Sequence, residues 1–144
     1  MLQQTALSDP KAEGLDVPAA QSFTCSWAES GASSAWVRMT GDLDRARVPE
    51  LERTIRQAQL ASRRVLLDLR ELEFVDYAGM HSILEAHQRA HRSGGQLALV
   101  RGSRRVNRVF ALTGLCDVLK IVDLDPSEPP VQALLKFCGT WDAA

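Results

Sequence analysis

The residues of this 144-residue sequence most capable of chemistry sit in two short acidic turns, G41-D-L-D44 and D76-Y-A-G79. The second follows an aliphatic run, V65-L-L-D-L69, and precedes a helical one, M80-H-S-I-L-E-A-H87, so it reads as a strand-to-helix turn. Such a turn offers backbone N–H groups at an open helix N-terminus, a place suited to binding, phosphorylation and catalysis. Asp76 has the type and position of an N-cap, accepting an N–H from Ala78 or Gly79. If the strands behind the two turns run the same way, their carboxyl ends share one sheet edge and Asp42 and Asp44 lie beside Asp76. The plain alternative is that Asp76 only caps its helix while Asp42 and Asp44 only form turns.

Other constellations are poorer. A nucleophile needs a nearby base, yet the three His (His81, His87 and His91) all fall on one predicted helix and no G-x-S-x-G elbow exists. His87 and His91 have the i, i+4 spacing of metal ligands, but Glu85 points to another side of the helix and no further ligand cluster follows. There is no G-x-G-x-x-G and no G-x-x-x-x-G-K-[ST], so the known phosphate-cradling loops are missing. Arg101, Arg104, Arg105 and Arg108 lack interleaved aromatics to stack bases, and on a chain of net charge −1 they read as a solvated helix face rather than a nucleic-acid surface. Neither a cofactor nor a metal is expected.

The elements that must position these turns follow from periodicity. Residues 1–21 lack sustained pattern and read as a flexible N-terminal tail, with a single domain over residues 22–140. S22-F-T-C-S-W27 and A35-W-V-R-M-T40 read as two strands joined by a somewhat long loop, E29-S-G-A-S-S34. A helix opens near Pro49, with Leu51, Ile55, Ala58, Gln59 and Leu60 at helical spacing. V65-L-L-D-L69, aliphatic on both faces, belongs mid-sheet. Met80, Ile83, Leu84, His87 and Ala90 form the next helical stripe, stopped by Gly94 and Gly95. Strand Q96-L-A-L-V100 follows. A helix from Ser103 to Thr113 comes next, with Val106, Val109, Phe110 and Thr113 on one side, then strand L119-K-I-V-D123. Past the breaker PSEPP, from Pro126 to Pro130, a last helix runs from Val131 to Phe137. The order ββαβαβαβα implies an α/β fold with a mixed, mostly parallel sheet layered with helices.

No apolar run approaches the length of a bilayer span and the N-terminus has no secretory pattern, so a cytoplasmic protein without membrane insertion is expected. Cys25, Cys116 and Cys138 are odd in number and widely spaced, which fits reduced thiols.

T40-G-D-L-D44 with Pro49, Glu50 and Leu51, then L66-L-D-L69, F74-V-D-Y-A-G79, G94-G-Q-L-A-L-V100 and V109-F-A-L-T-G-L115, resemble in order and spacing the STAS domain of bacterial anti-sigma factor antagonists. The resemblance implies a non-enzymatic domain that docks on a kinase-like anti-sigma factor as a monomer or weak homodimer. In that family a Ser before the Gly is phosphorylated by the partner; here that position is Ala78, and Tyr77 replaces the motif's other Ser. Ala has no hydroxyl, so the usual switch is expected to be missing. Ser82, one helical turn on, is the weaker substitute acceptor. The expected docking surface comprises Asp42, Asp44, Asp76, Tyr77, Ala78, Gly79, Met80 and Ser82. The resemblance leaves two other roles open: a module of a stressosome-like scaffold or lipid-transport complex, and a small-ligand or nucleotide sensor.

Overall fold

A computed structural model describes residues 22–31, 33–125 and 127–129. Its centre is the aliphatic run, which extends to twelve residues as β3 (Arg64–Val75). β1 (Thr24–Gly31) and β2 (Ser34–Leu43) precede it, and β4 (Gln96–Val100) and β5 (Lys120–Val122) follow. The sheet order is β1-β2-β3-β4-β5, with β1 and β2 antiparallel and every other neighbour parallel. The mixed, mostly parallel sheet expected from the sequence is therefore present. The loop between β1 and β2 is a tight turn, not a long one: the strands run to Gly31 and resume at Ser34, with Ser33 at φ 58°.

Three parallel connections step in one direction along the sheet, and connections of one hand put their helices on one face. These are α1 (Val48–Ala61), α2 (Tyr77–Arg92) and α3 (Arg104–Leu112). Accordingly, Leu51 and Ile55 of α1, Met80 and Ile83 of α2, and Val106 and Phe110 of α3 share one core with Val37, Leu67 and Leu99 of the strands. The opposite face carries a smaller cluster of Leu66, Ala98 and Val100 with Trp36, Val122 and Leu124 against it.

Helix ends follow their local chemistry. Pro49 stands in the first turn of α1, where its lost N–H costs nothing. Ser103 Oγ accepts the Val106 N–H at 3.2 Å to cap α3, and Gly114 closes that region at φ 78°. The apolar stripes shift slightly from expectation. Leu60 is 89% exposed, and on α2 the fully buried positions are Gly79, Met80, Ser82, Ile83, Ala86 and Ala90, with Leu84 and His87 half-buried. Cys25 and Cys116 are free thiols. The expected tail 1–21, the last helix 131–137 and Cys138 lie outside the described residues.

Candidate functional site

β2 and β3 pair in parallel to their last residues, Leu43 opposite Val75, so both chains leave the sheet at one edge. The Asp76 N–H continues the ladder by donating to the Leu43 carbonyl at 3.1 Å. Two register shifts between β2 and β3 re-aim these ends, the second between Gly41 and Asp42. The two acidic turns are thereby neighbours.

Asp76 joins them. Its Oδ1 accepts the Gly79 N–H at 2.8 Å, capping α2, while its Oδ2 accepts the Arg45 N–H at 3.1 Å from the short 3₁₀ turn Arg45–Arg47. One carboxylate thus satisfies orphan donors at the starts of two helical segments, where negative charge is favoured. Of the two donors named from sequence, Gly79 is the one used. Asp44 makes no side-chain cap, and its Oδ1 is buried without a hydrogen-bond partner among the described residues. Asp42 is half-buried at the end of β2.

Beside this staple lies an open groove of about 470 Å³, lined by Arg45, Pro49 and Glu52 on one side and by Tyr77, Ala78 and His81 on the other. Tyr77 is 68% exposed and its ring stacks on His81, centroids 6.4 Å apart. His81 Nδ1 faces Glu85 Oε2 at 3.8 Å. Residues 77, 81 and 85 form one i, i+4, i+8 face of α2, a spacing present in the sequence that belongs to no motif and so draws no notice there.

Three residues expected on the surface are not there. Met80 is 1% exposed and lies under Thr113, whose hydroxyl donates to its sulfur at 3.6 Å. Ser82 is 3% exposed, so it offers no accessible hydroxyl to a phosphorylating partner. Gly79 is buried for a steric reason: a Cβ there would meet Leu43 Cγ at 2.7 Å and Val75 Cγ2 at 3.0 Å, so only glycine lets α2 start this close to the strand ends. Of the expected set, Tyr77 is exposed and Asp42, Asp44, Asp76 and Ala78 are half-buried; Arg45, Pro49, Glu52, His81 and Glu85 join them along the groove.

Elsewhere, Arg101 pairs with Asp123 and donates to Asn107 Oδ1 at 2.8 Å, fastening β5 to α3. Arg104, Arg105 and Arg108 are exposed. Among the described residues no helix is long and apolar enough to cross a membrane.

A parallel sheet with one antiparallel edge strand, helices stacked on one face and a capped turn after the central strand define the architecture of a STAS domain. Residues 30–127 match that family, and the chain belongs to it. Within the family it is similar to anti-sigma factor antagonists. It is 27% identical to the anti-sigma-B factor antagonist of Staphylococcus aureus over 86 residues, covering 59% of this chain and 80% of that protein. The fold matches the anti-sigma factor antagonist SpoIIAA in its unphosphorylated form at a TM-score of 0.66, with 21% identity over 82% of this chain and 97% of that one. An anti-sigma factor antagonist from Mycobacterium paratuberculosis gives a TM-score of 0.63, with 21% identity over 74% of this chain and 89% of that one.

Proposed function

We propose that this chain is a non-enzymatic docking module of the antagonist type. It binds a kinase-like anti-sigma factor through the edge formed by the Arg45–Arg47 turn, Asp76, Tyr77 and Ala78, and it binds without a phosphorylation switch at position 78. The observation carrying this reading is the staple: Asp76 fixes two segments side by side and sets an exposed aromatic, Tyr77, next to a methyl group where an acceptor hydroxyl would stand. Exposed aromatics beside a rigid backbone are the usual anchors of protein interfaces. A phosphate added there would bring two negative charges and bulk onto that edge, which is why a hydroxyl at this position makes a switch and a methyl group leaves the module always competent to bind.

The test is a binding and phosphorylation assay with the kinase-like regulator encoded in the same genome. The chain is expected to bind whether or not ATP is present and to show no phosphate by intact-mass spectrometry. Tyr77→Ala should weaken binding about tenfold. Ala78→Ser should accept phosphate and then release. Phosphate on the unaltered chain, or full affinity in Tyr77→Ala, would sink this reading.

A further inference from the structure

The other end of α2 carries a second concavity. From Ala78 to His91 the helix rises about 20 Å at ~1.5 Å per residue, so this region is spatially separate from the docking edge. β4 begins at Gln96, but β5 first pairs with it at Ala98, opposite Lys120. The sheet edge is therefore notched in front of β5, and the 3₁₀ turn Leu115–Asp117 arches past it. A cavity of about 430 Å³ fills the notch. That size falls within the range of small-molecule pockets and is far larger than packing defects in a core.

The lining has two characters. Leu97 and Leu119, both nearly inaccessible and on the helix side of the sheet, give it an apolar wall, and Ala98 borders it from the strand. His87 and His91, one turn apart on α2, and Lys120 at the start of β5 give it basic groups. Asp117 is the single acid of the lining and is exposed. Among the described residues no carboxylate is within ion-pair distance of Lys120. Burial holds His87 below the usual imidazole range, and His91 and Lys120 add to the effect as neighbouring positive charges. Of the carbonyls ending α2, which would repel an anion, three are already occupied: the Ser93 N–H donates to Arg89 and Ala90, that of Gly95 to Ala90, and that of Gly94 to His91.

We propose that this cavity binds a small organic monoanion, a carboxylate on an apolar body. The head group is held by His87, His91 and Lys120, and the body lies against Leu97 and Leu119. One lysine ammonium beside two imidazole rings gives N–H donors converging on a single carboxylate. A phosphate dianion is matched best by the forked donors of arginine, and none lines this cavity.

The experiment is an amide-correlation NMR titration of the full chain with benzoate, benzamide and benzylamine, which share a ring and differ in charge. Benzoate is expected to give saturable shifts at the amides of Leu97, Ala98 and Leu119, with an affinity of order millimolar for so small a probe. Benzamide and benzylamine should bind about tenfold more weakly or not at all. Lys120→Gln should weaken benzoate about fivefold or more while leaving benzamide unchanged. His87→Gln with His91→Gln supplies a second variant, and retained spectral dispersion reports folding of both. Equal response to benzoate and benzamide, benzoate shifts located elsewhere, or no saturation up to about 20 mM would overturn the proposal.

Discussion

Asp76 and Ser82 show how differently two polar side chains six residues apart can behave. The Asp76 carboxylate serves two backbone donors from separate segments, so its loss unfastens both. Asp76→Ala should cost about 1–2 kcal/mol, the upper part of the N-cap range, read as a lower urea midpoint with an unchanged slope. It should also weaken the partner, since the Arg45–Arg47 turn loses its tie to α2. Asp76→Asn, which keeps one acceptor, should fall between; an Asn variant as damaged as Ala would show that charge, not geometry, holds the turn. The Ser82 hydroxyl oxygen is buried without a partner among the described residues, so it carries a desolvation cost without return. Ser82→Ala is therefore expected to leave stability unchanged or to raise it by up to about 1 kcal/mol. A loss greater than about 1 kcal/mol in thermal unfolding would mean that the hydroxyl is bonded after all.

At the scale of elements, β4 is legible to the residue and α3 to its cap, because a short aliphatic run and a Ser before a helical period are local signals. β3 reads too short from sequence for a physical reason. Up to Asp68 it pairs with both β2 and β4 and both faces are covered; beyond Asp68 only β2 continues, so R70-E-L-E-F-V75 reverts to polar positions around a buried Leu72 and Val75. The change of period marks the end of a neighbour, not the end of the strand. The docking edge is half legible: the parallel exit of the two turns and the Asp76 cap follow from pattern, whereas the burial of Met80 beneath Thr113 and of Ser82 beside the start of α1 depends on packing between elements distant in sequence. Gly41 tells the same story, since its type suggests a strand terminator and it instead lies within β2 at φ 87°. A Cβ there would sit 2.0 Å from the Ser22 carbonyl oxygen. Gly41→Ala should thus cost about 3 kcal/mol or more, from left-handed strain and overpacking together, with β1 displaced from β2. Circular dichroism melts test this, and a variant within about 0.5 kcal/mol of the parent would contradict the constraint.

For the whole molecule, the face of the sheet away from the helices is organised by one buried ion pair. Arg70 Nε and Nη2 donate to Asp68 Oδ1 and Oδ2 at 2.9 and 2.8 Å, and Trp36 Nε1 adds a bond to Oδ2 at 3.1 Å. The same guanidinium donates through Nη1 to the carbonyls of Asp125 and Glu128, so the central strand holds the chain that follows β5. Burial alone would raise the Asp68 carboxyl, but the bonds from Arg70 and Trp36 outweigh it and hold the group below the ordinary carboxylate range. A folded value below the unfolded one means stability that is fully present at neutral pH and fades as pH falls through the unfolded value of about 3.9 toward the folded one. Arg70→Met reverses the sign. It leaves Asp68, 5% exposed, without its cation, at a cost of about 3 kcal/mol near pH 7. The carboxyl of that variant should then titrate above its unfolded value, so acid relieves the penalty by protonating it. Urea unfolding from pH 7 to about pH 4 should therefore show the gap between the parent chain and Arg70→Met closing because the variant regains stability, the parent losing its Asp68 contribution only below about pH 4. A gap that stays constant over that range would mean the pair contributes through packing rather than charge.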